Sequence, residues 1–486
     1  MGAARGTRSD VPTHSRVPRG VVAGYAAGSV GTGGYGVLPG LVLAYYLTDT
    51  LGVAAAWASL VVIVPKIADV VIDPWIGAVS DRVARRRGTR TSVMLAGSIT
   101  LPVLFVATFA APVTGTGGAV WVLTFFLLAA VGFSLFQVPY IALPAELTDR
   151  YHERTRLVTV RVAVLALTIL AVGAGGPAIR DLVGGRPGYL VMAVVIGSVI
   201  CAGMLWASLG SARRARPPVR LPAATSLRDA YGDGVRALRD VRDFRALVVV
   251  FATQALAAAI MLAGAQYVAT YVLGDESALT LLFVALVAPA LLVMPWWYRF
   301  ARHRGKVTAL VLASSLFGLA AATLTFAVWS PGAWIYAAVA VAGLGYAGMQ
   351  AFPLAMLPDV IEADARRRGA ERGGVLAGVW TATETVGLAF GPAVFLAVLA
   401  STGFVSSGAG EQVTQSDTAV AGIALGFSIL PAVLVALSLL ALRGYHQREP
   451  GPDEDGHDEH GPDEDGHDEH GHDDHGHEEP EREYTE

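Results

Sequence analysis

Two residue types are almost missing from this 486-residue chain. Cysteine occurs once, at Cys201, and lysine only at Lys66 and Lys306, although lysine and arginine together number 36. One cysteine excludes an internal disulfide. Cys201 lies in an apolar run and reads as a packing residue. Charge is scarce too: charged residues make up 16% of the chain and hydrophobic residues 53%, with mean hydropathy +0.51. A soluble fold of this length could not bury so much apolar surface, so the composition points to a polytopic membrane protein. No nucleotide-binding loop, zinc-ligand helix or nucleophile triad stands out. Glycine clusters such as Gly31–Gly36 lie inside an apolar run, where they serve helix packing rather than phosphate binding. These absences argue against an enzyme, a nucleic-acid partner and any cofactor other than a transported ion.

The net charge of −4 hides an asymmetry. From Gly451 onward there are 17 acids and one arginine, so the tail carries −16 and the rest of the chain +12. Apolar runs of roughly 20 residues, long enough to span a bilayer, recur twelve times. Basic connections such as Arg82–Arg90, Arg150–Arg161 and Arg299–Lys306 alternate with connections nearly free of basic residues, such as Asp49–Gly52 and Gly274–Ser277. By the positive-inside rule both termini are expected in the cytoplasm, in a multi-pass protein of the cell membrane. The expected organisation is a cytoplasmic segment over 1–20, a six-helix half over 21–209 and a cytoplasmic central loop over 210–245 with a helix near Ser226–Val241. A second six-helix half over 246–442 and a disordered cytoplasmic tail over 443–486 follow.

The halves echo each other. Gln137-Val-Pro139 through Pro144-Ala-Glu146 resembles Gln350-Ala-Phe-Pro353 through Pro358-Asp359, and Asp73-Pro74-Trp75 through Gly88 resembles Met294-Pro295-Trp296 through Gly305. Two parallel six-helix repeats about an axis along the membrane normal form a known transporter architecture.

One apolar run carries charge where hydrocarbon belongs: Lys66-Ile-Ala-Asp69-Val-Val-Ile-Asp73-Pro74-Trp-Ile-Gly77. Helical spacing puts Lys66, Asp69, Asp73 and Gly77 on one stripe. Two carboxylates one turn apart supply hard oxygen ligands for Na⁺ or a proton site. Pro74 removes a backbone donor and frees the carbonyl at Val70. Lys66 could be a tethered countercharge for that site or only a structural neutraliser of an aspartate.

Gly77-Ala-Val-Ser-Asp81-Arg82 with Arg85, Arg86, Arg87 and Gly88 resembles the cytoplasmic loop signature of the major facilitator superfamily. Lys66 to Pro74 resembles the second helix of the glycoside–pentoside–hexuronide:cation symporter family, the melibiose-carrier group. That likeness extends to Tyr45-Tyr46-Leu-Thr48-Asp49, to Pro139-Tyr140 with Asp149, Glu153-Arg154 and Arg161, and to Leu357-Pro358-Asp359 with Gly387 to Gly391. It implies an all-α membrane protein with twelve transmembrane helices in two pseudo-symmetric six-helix halves, the major facilitator fold. It implies alternating-access symport of a sugar- or glycoside-like solute with Na⁺ or H⁺, the cation held by Asp69 and Asp73.

The chain departs from the family where the sugar is gripped. Gly31-Thr32-Gly33-Gly34 replaces a charged pair, Gln137 an aspartate and Thr385 a lysine, with Glu384 beside it. Cation chemistry therefore transfers better than sugar specificity, and a lipid-like or drug-like solute is the alternative. Gln137, Tyr140, Arg161, Glu384 and Trp380 are the candidate cavity residues. For Arg161 a cavity or gate position is favoured over snorkelling to the cytoplasm. Tyr25 and Tyr35 could stack on a solute or pack in the core. Gly77, Asp81, Arg82, Arg86, Glu146, Asp149 and Arg154 form the candidate gate. Partners are expected to be a small-molecule solute and the bilayer, with the chain acting as a monomer.

The tail repeats Gly-Pro-Asp-Glu-Asp-Gly-His-Asp-Glu-His and holds His457, His460, His467, His470, His472, His475 and His477. Histidines among carboxylates bind Zn²⁺, Ni²⁺ or Cu²⁺ loosely, so a metal-responsive or partner-docking role is a third reading. A solvated, like-charged tail held off anionic lipid is the simpler one. Deleting residues 451–486 should leave transport rates in vesicles unchanged; a changed rate, or a metal response lost with the tail, would give the segment a regulatory role.

Overall fold

The computed structural model describes residues 16–148, 150–215, 232, 235–236, 238–368, 373–408 and 413–445. Twelve long helices dominate these. The first half contains α1 (Arg19–Tyr45), α2 (Ala55–Arg87), α3 (Thr91–Thr108), α4 (Gly115–Leu147), α5 (Tyr151–Val183) and α6 (Gly185–Gly210). The second contains α7 (Arg242–Tyr267), α8 (Ala278–Arg304), α9 (Lys306–Thr323), α10 (Trp334–Arg368), α11 (Gly373–Ser401) and α12 (Asp417–Leu442). Eleven of them are long and apolar enough to cross a membrane. The exception is α1, whose 27 residues include eight glycines that lower its apolarity. Large apolar side chains such as Val103, Leu182, Leu292 and Leu319 are exposed, as lipid-facing residues must be. The helix expected near Ser226–Val241 lies mostly outside the described residues, as do residues 1–15 and the tail.

The two halves repeat local backbone devices. Both first helices run into a π-helical turn, Tyr46–Thr50 after α1 and Val268–Val272 after α7. Both second helices end at a glycine with positive φ, Gly88 at 67° and Gly305 at 83°. A side chain is strained there, and a left-handed or extended glycine lets the chain reverse directly into the next span. In contrast, α2 runs through Pro65 and Pro74 without a break.

The glycines of α1 decide how tightly the first half packs. A Cβ on Gly31 would sit 2.4 Å from Met204 Cγ, and one on Gly34 would sit 2.9 Å from Ile200 Cγ1, both on α6. A Cβ on Gly33 would meet Leu165 and Thr168 of α5 at 3.1–3.2 Å. The glycines that replace the family's charged pair are therefore used for close helix approach, not to widen a cavity.

The halves meet through α1 with α7, α2 with α11 and α5 with α8. Hydrogen bonds between them cluster at the end opposite the basic loops. There Thr48 and Tyr267 hydroxyls are 2.7 Å apart, Tyr45 donates to Glu276 at 3.2 Å, and Tyr271 donates to Asp49. Arg180, buried on α5, donates to Gln266 of α7 at 2.8 Å, and Ser407 N donates to the Thr48 carbonyl at 3.0 Å.

Because Gly31 has no room for a side chain, Gly31→Val should cost about 1–3 kcal/mol of stability through overpacking. Gly36→Ala has no heavy atom within 4 Å of its new Cβ and should be nearly neutral. Thermal unfolding in detergent compares the two; equal midpoints would contradict the packing role.

Candidate cation and solute sites

The charged stripe of α2 is intact in three dimensions. Lys66 Nζ lies 3.4 Å from Asp69 Oδ2 and 5.8 Å from the centroid of the Tyr35 ring on α1. Asp73, one turn further, has Ser134 of α4 as its polar neighbour. Asp69 Oδ1 and Asp73 Oδ1 are both shielded from solvent and accept no hydrogen bond among the described residues, and the Tyr35 hydroxyl is buried without a partner too. Buried carboxylate oxygens are rarely left idle, because each would otherwise keep its hydration. Two such oxygens one helical turn apart, with a serine hydroxyl beside one and an ammonium beside the other, form a donor set for a small hard cation or a proton. Ser134 is absent from the sequence-derived candidates. Its one signal was position, since it lies one turn before Gln137 on the same face of α4.

The candidate solute residues separate into two groups. In the first half, Gln137 Oε1 accepts from Thr32 at 2.7 Å. Tyr140 is fully buried, donates to the Tyr25 carbonyl at 2.7 Å and packs between Tyr25 and Phe136. The Arg161 guanidinium lies 4.9 Å from the Tyr140 ring centroid, so Tyr140 positions Arg161 rather than presenting its own face to a solute. Ser29 ties the same region together by donating to the Arg161 carbonyl at 3.1 Å. In the second half, Trp380 is buried and stacks on Phe251 with centroids 4.2 Å apart. Glu384 is half-buried and belongs to no ion pair among the described residues.

A cavity of about 340 Å³ lies between the halves. Val37 of α1 and Ala166 and Ile169 of α5 form one wall, and residues of α7 to α11 form the other. Of its nineteen lining residues only Tyr346 and Gln350 are polar. Its volume falls within the usual range for small-molecule sites, about 300–1,000 Å³.

At the basic end, Arg90 draws the gate together. Its Nη1 lies 2.6 Å from Asp81 of α2 and its Nε 2.6 Å from Glu146 of α4, with Ser80 accepting at 2.9 Å. Asp81 and Glu146 are thus brought together, while Arg82 and Arg86 are exposed at the end of α2. Arg154 donates to the Thr148 carbonyl at 2.9 Å. A Cβ added to Gly77 would lie 3.7 Å from Val138, ordinary clearance, so no close approach depends on this glycine. Asp149 and the seven tail histidines, His457 to His477, lie outside the described residues. Among the described residues no cluster of His, Cys, Asp or Glu could hold a metal ion. The second half repeats the gate: Lys306, the first residue of α9, lies 2.6 Å from Asp359 of α10. Asp359 is the repeat counterpart of Glu146, and its basic partner Lys306 follows Gly305 by one residue where Arg90 follows Gly88 by two.

Twelve helices in two halves, a charged stripe and an interfacial cavity define a membrane carrier of the major facilitator type. Residues 24–446 match the family described as MFS/sugar transport protein, and the chain belongs to that family. It is similar to an uncharacterized symporter, sll1374, of Synechocystis, at 24% identity over 82% of this chain and 88% of the relative. It is also similar to the glucuronide carrier protein homolog of Escherichia coli, at 25% identity over 85% and 91% of the two chains. The sodium-dependent lysophosphatidylcholine symporter 1 of Gallus gallus is 25% identical over 70% of each. Among solved structures, a bacterial homolog of the human lysosomal transporter Spinster, inward-facing and occupied, shares the fold with TM-score 0.62 at 12% identity, over 88% of this chain and 94% of that one. The protein is a secondary transporter, not an enzyme.

Removing Arg90 would leave the buried Glu146 without its cation. Arg90→Ala should cost about 3–5 kcal/mol, whereas Lys306→Ala, in a pair that is 40% and 44% exposed, should cost about 0–1 kcal/mol. Unfolding midpoints in detergent that fall equally for both would contradict the central role of Arg90.

Proposed function

We propose that the protein is a cation-coupled symporter in which Na⁺ or H⁺ occupies the Asp69–Asp73 pair and a solute with a large apolar part occupies the cavity between the halves. The observation that carries the coupling is the pair of unpartnered, buried carboxylate oxygens on α2. A cation there neutralises the aspartates. When it leaves, Lys66, already 3.4 Å from Asp69, supplies the compensating charge. An ion that binds one access state better than the other shifts the equilibrium between them, and the solute shares in that shift. The names of the relatives, symporters and in one case sodium-dependent, support ion coupling. With the basic loops in the cytoplasm, the bonds that join the halves close the outer side, and the solute would exchange with the inside.

The composition of the cavity favours an amphiphilic solute. A sugar hydroxyl buried without a partner costs about 1–3 kcal/mol, whereas each buried methylene contributes about 0.8 kcal/mol. The relative named for lysophosphatidylcholine supports this reading. A glycoside-like solute is the second reading. It is favoured by the glucuronide carrier homolog and by the Thr32–Gln137 pair, whose amide retains hydrogen-bonding capacity near the first half of the cleft.

In proteoliposomes, Asp73→Asn should abolish ion-gradient-driven accumulation while the protein remains folded and inserted. Accumulation retained in that variant would remove Asp73 from the ion site. Lysolipids should compete for uptake and simple methyl glycosides should not; the reverse order would favour the sugar reading.

A further inference from the structure

We propose that the apolar cavity and Glu384 together form a site for an amphiphilic cation, an amine or quaternary ammonium carried on an extended apolar body. This deepens the reading of the cavity as the solute site and rests on it.

The two polar residues of the lining, Tyr346 and Gln350, lie one turn apart on α10. Glu384 lies on α11, which packs beside this wall. One turn beyond it on the same helix face, Leu388 lines the cavity. Glu384 therefore stands at the polar edge of an otherwise hydrocarbon-lined space.

Among the described residues no cation forms an ion pair with it. Described arginines and lysines of the second half lie at the basic helix ends, in Arg242 to Arg245, Arg299 to Lys306, Arg366 to Arg368 and Arg443. In the first half, Lys66 is paired with Asp69 and Arg161 lies over Tyr140. A carboxylate in a low-dielectric setting gains most from a counter-ion that arrives already stripped of water by its own apolar surroundings. A cationic head on an apolar body is such a counter-ion. Its body would replace empty space against Phe283, Leu286 and Met294. Its head would meet Glu384, with the Tyr346 ring available for cation–π contact. An anionic head would face Glu384 as a like charge, and a neutral polyol would gain neither the ion pair nor partners for its hydroxyls.

The probe is tritiated tetraphenylphosphonium, measured at equilibrium on purified full-length protein in nanodiscs, with binding to empty nanodiscs subtracted. Saturable binding is expected, displaced by dodecyltrimethylammonium but not by dodecyl sulfate or dodecyl glucoside. Glu384→Gln should weaken it at least about tenfold, whereas Glu362→Gln, an exposed carboxylate at the far end of α10, should not change it. Ala347→Phe, which fills the cavity while keeping Glu384, should abolish it and guards against misfolding of the first variant. Undiminished binding in Glu384→Gln, or equal displacement by dodecyl glucoside, would overturn the proposal. Failure here would leave ion coupling at Asp73 standing, and failure of ion coupling would leave Glu384-dependent binding standing, because one is read as gradient-driven accumulation and the other as equilibrium binding.

Discussion

Lys66 and Asp69 sit 3.4 Å apart on a helix that must lie in lipid, and much of the architecture answers to that fact. A lone charge at the centre of a bilayer is costly, by about 2.5–3.5 kcal/mol on insertion scales. One ammonium for two aspartates leaves the stripe of α2 a positive charge short. Among the described residues no second basic residue completes the count. The protein surrounds the pair with Ser134 and Tyr35, whose oxygens can share a small cation but cannot replace it. A site kept one charge short attracts a cation, and that shortfall is the basis we propose for coupling.

The rest of the fold allows the shortfall to change with conformation. Helix α2 carries the stripe and packs against α11, which carries Leu388 to the cavity wall and Glu384 one turn before it. Helix α4 supplies Ser134 to the ion site and Glu146 to the Arg90 cluster. The proposed ion site, the Arg90 cluster and the cavity thus share helices, so a rigid tilt of one half against the other would change all three together. The glycine-rich face of α1, fitted against Met204 and Ile200, keeps the first half stiff enough for such a movement. The hydrogen bonds between halves gather at one end, leaving the basic end to be held by pairs within each half: Arg90 with Asp81 and Glu146, and Lys306 with Asp359.

The ion pair on α2 was legible in the sequence because charge in an apolar run has few explanations. The twelve helices and the two-fold repeat were legible because hydropathy and loop charge vary over whole spans. Arg90 was not singled out: it is the last basic residue of a run, and only the folded loop selects it over Arg82 and Arg86. Tyr140 and Trp380 illustrate a different limit. An aromatic side chain in a span can line a cavity or pack beside one, and helical periodicity does not separate the two. The cavity itself is built from ordinary apolar residues of seven helices, each unremarked along the chain, so only their convergence in space brings it into view.

The central claim is that Asp69 and Asp73 constitute the coupling-ion site, and equilibrium ion binding to the purified carrier tests it most directly. Radiolabelled sodium binding and proton exchange would be measured on the same preparation, for the unaltered protein and for Asp69→Asn with Asp73→Asn combined. The account predicts saturable uptake of one or the other cation by the unaltered protein and none by the double variant. Undiminished cation binding in a folded double variant would contradict it.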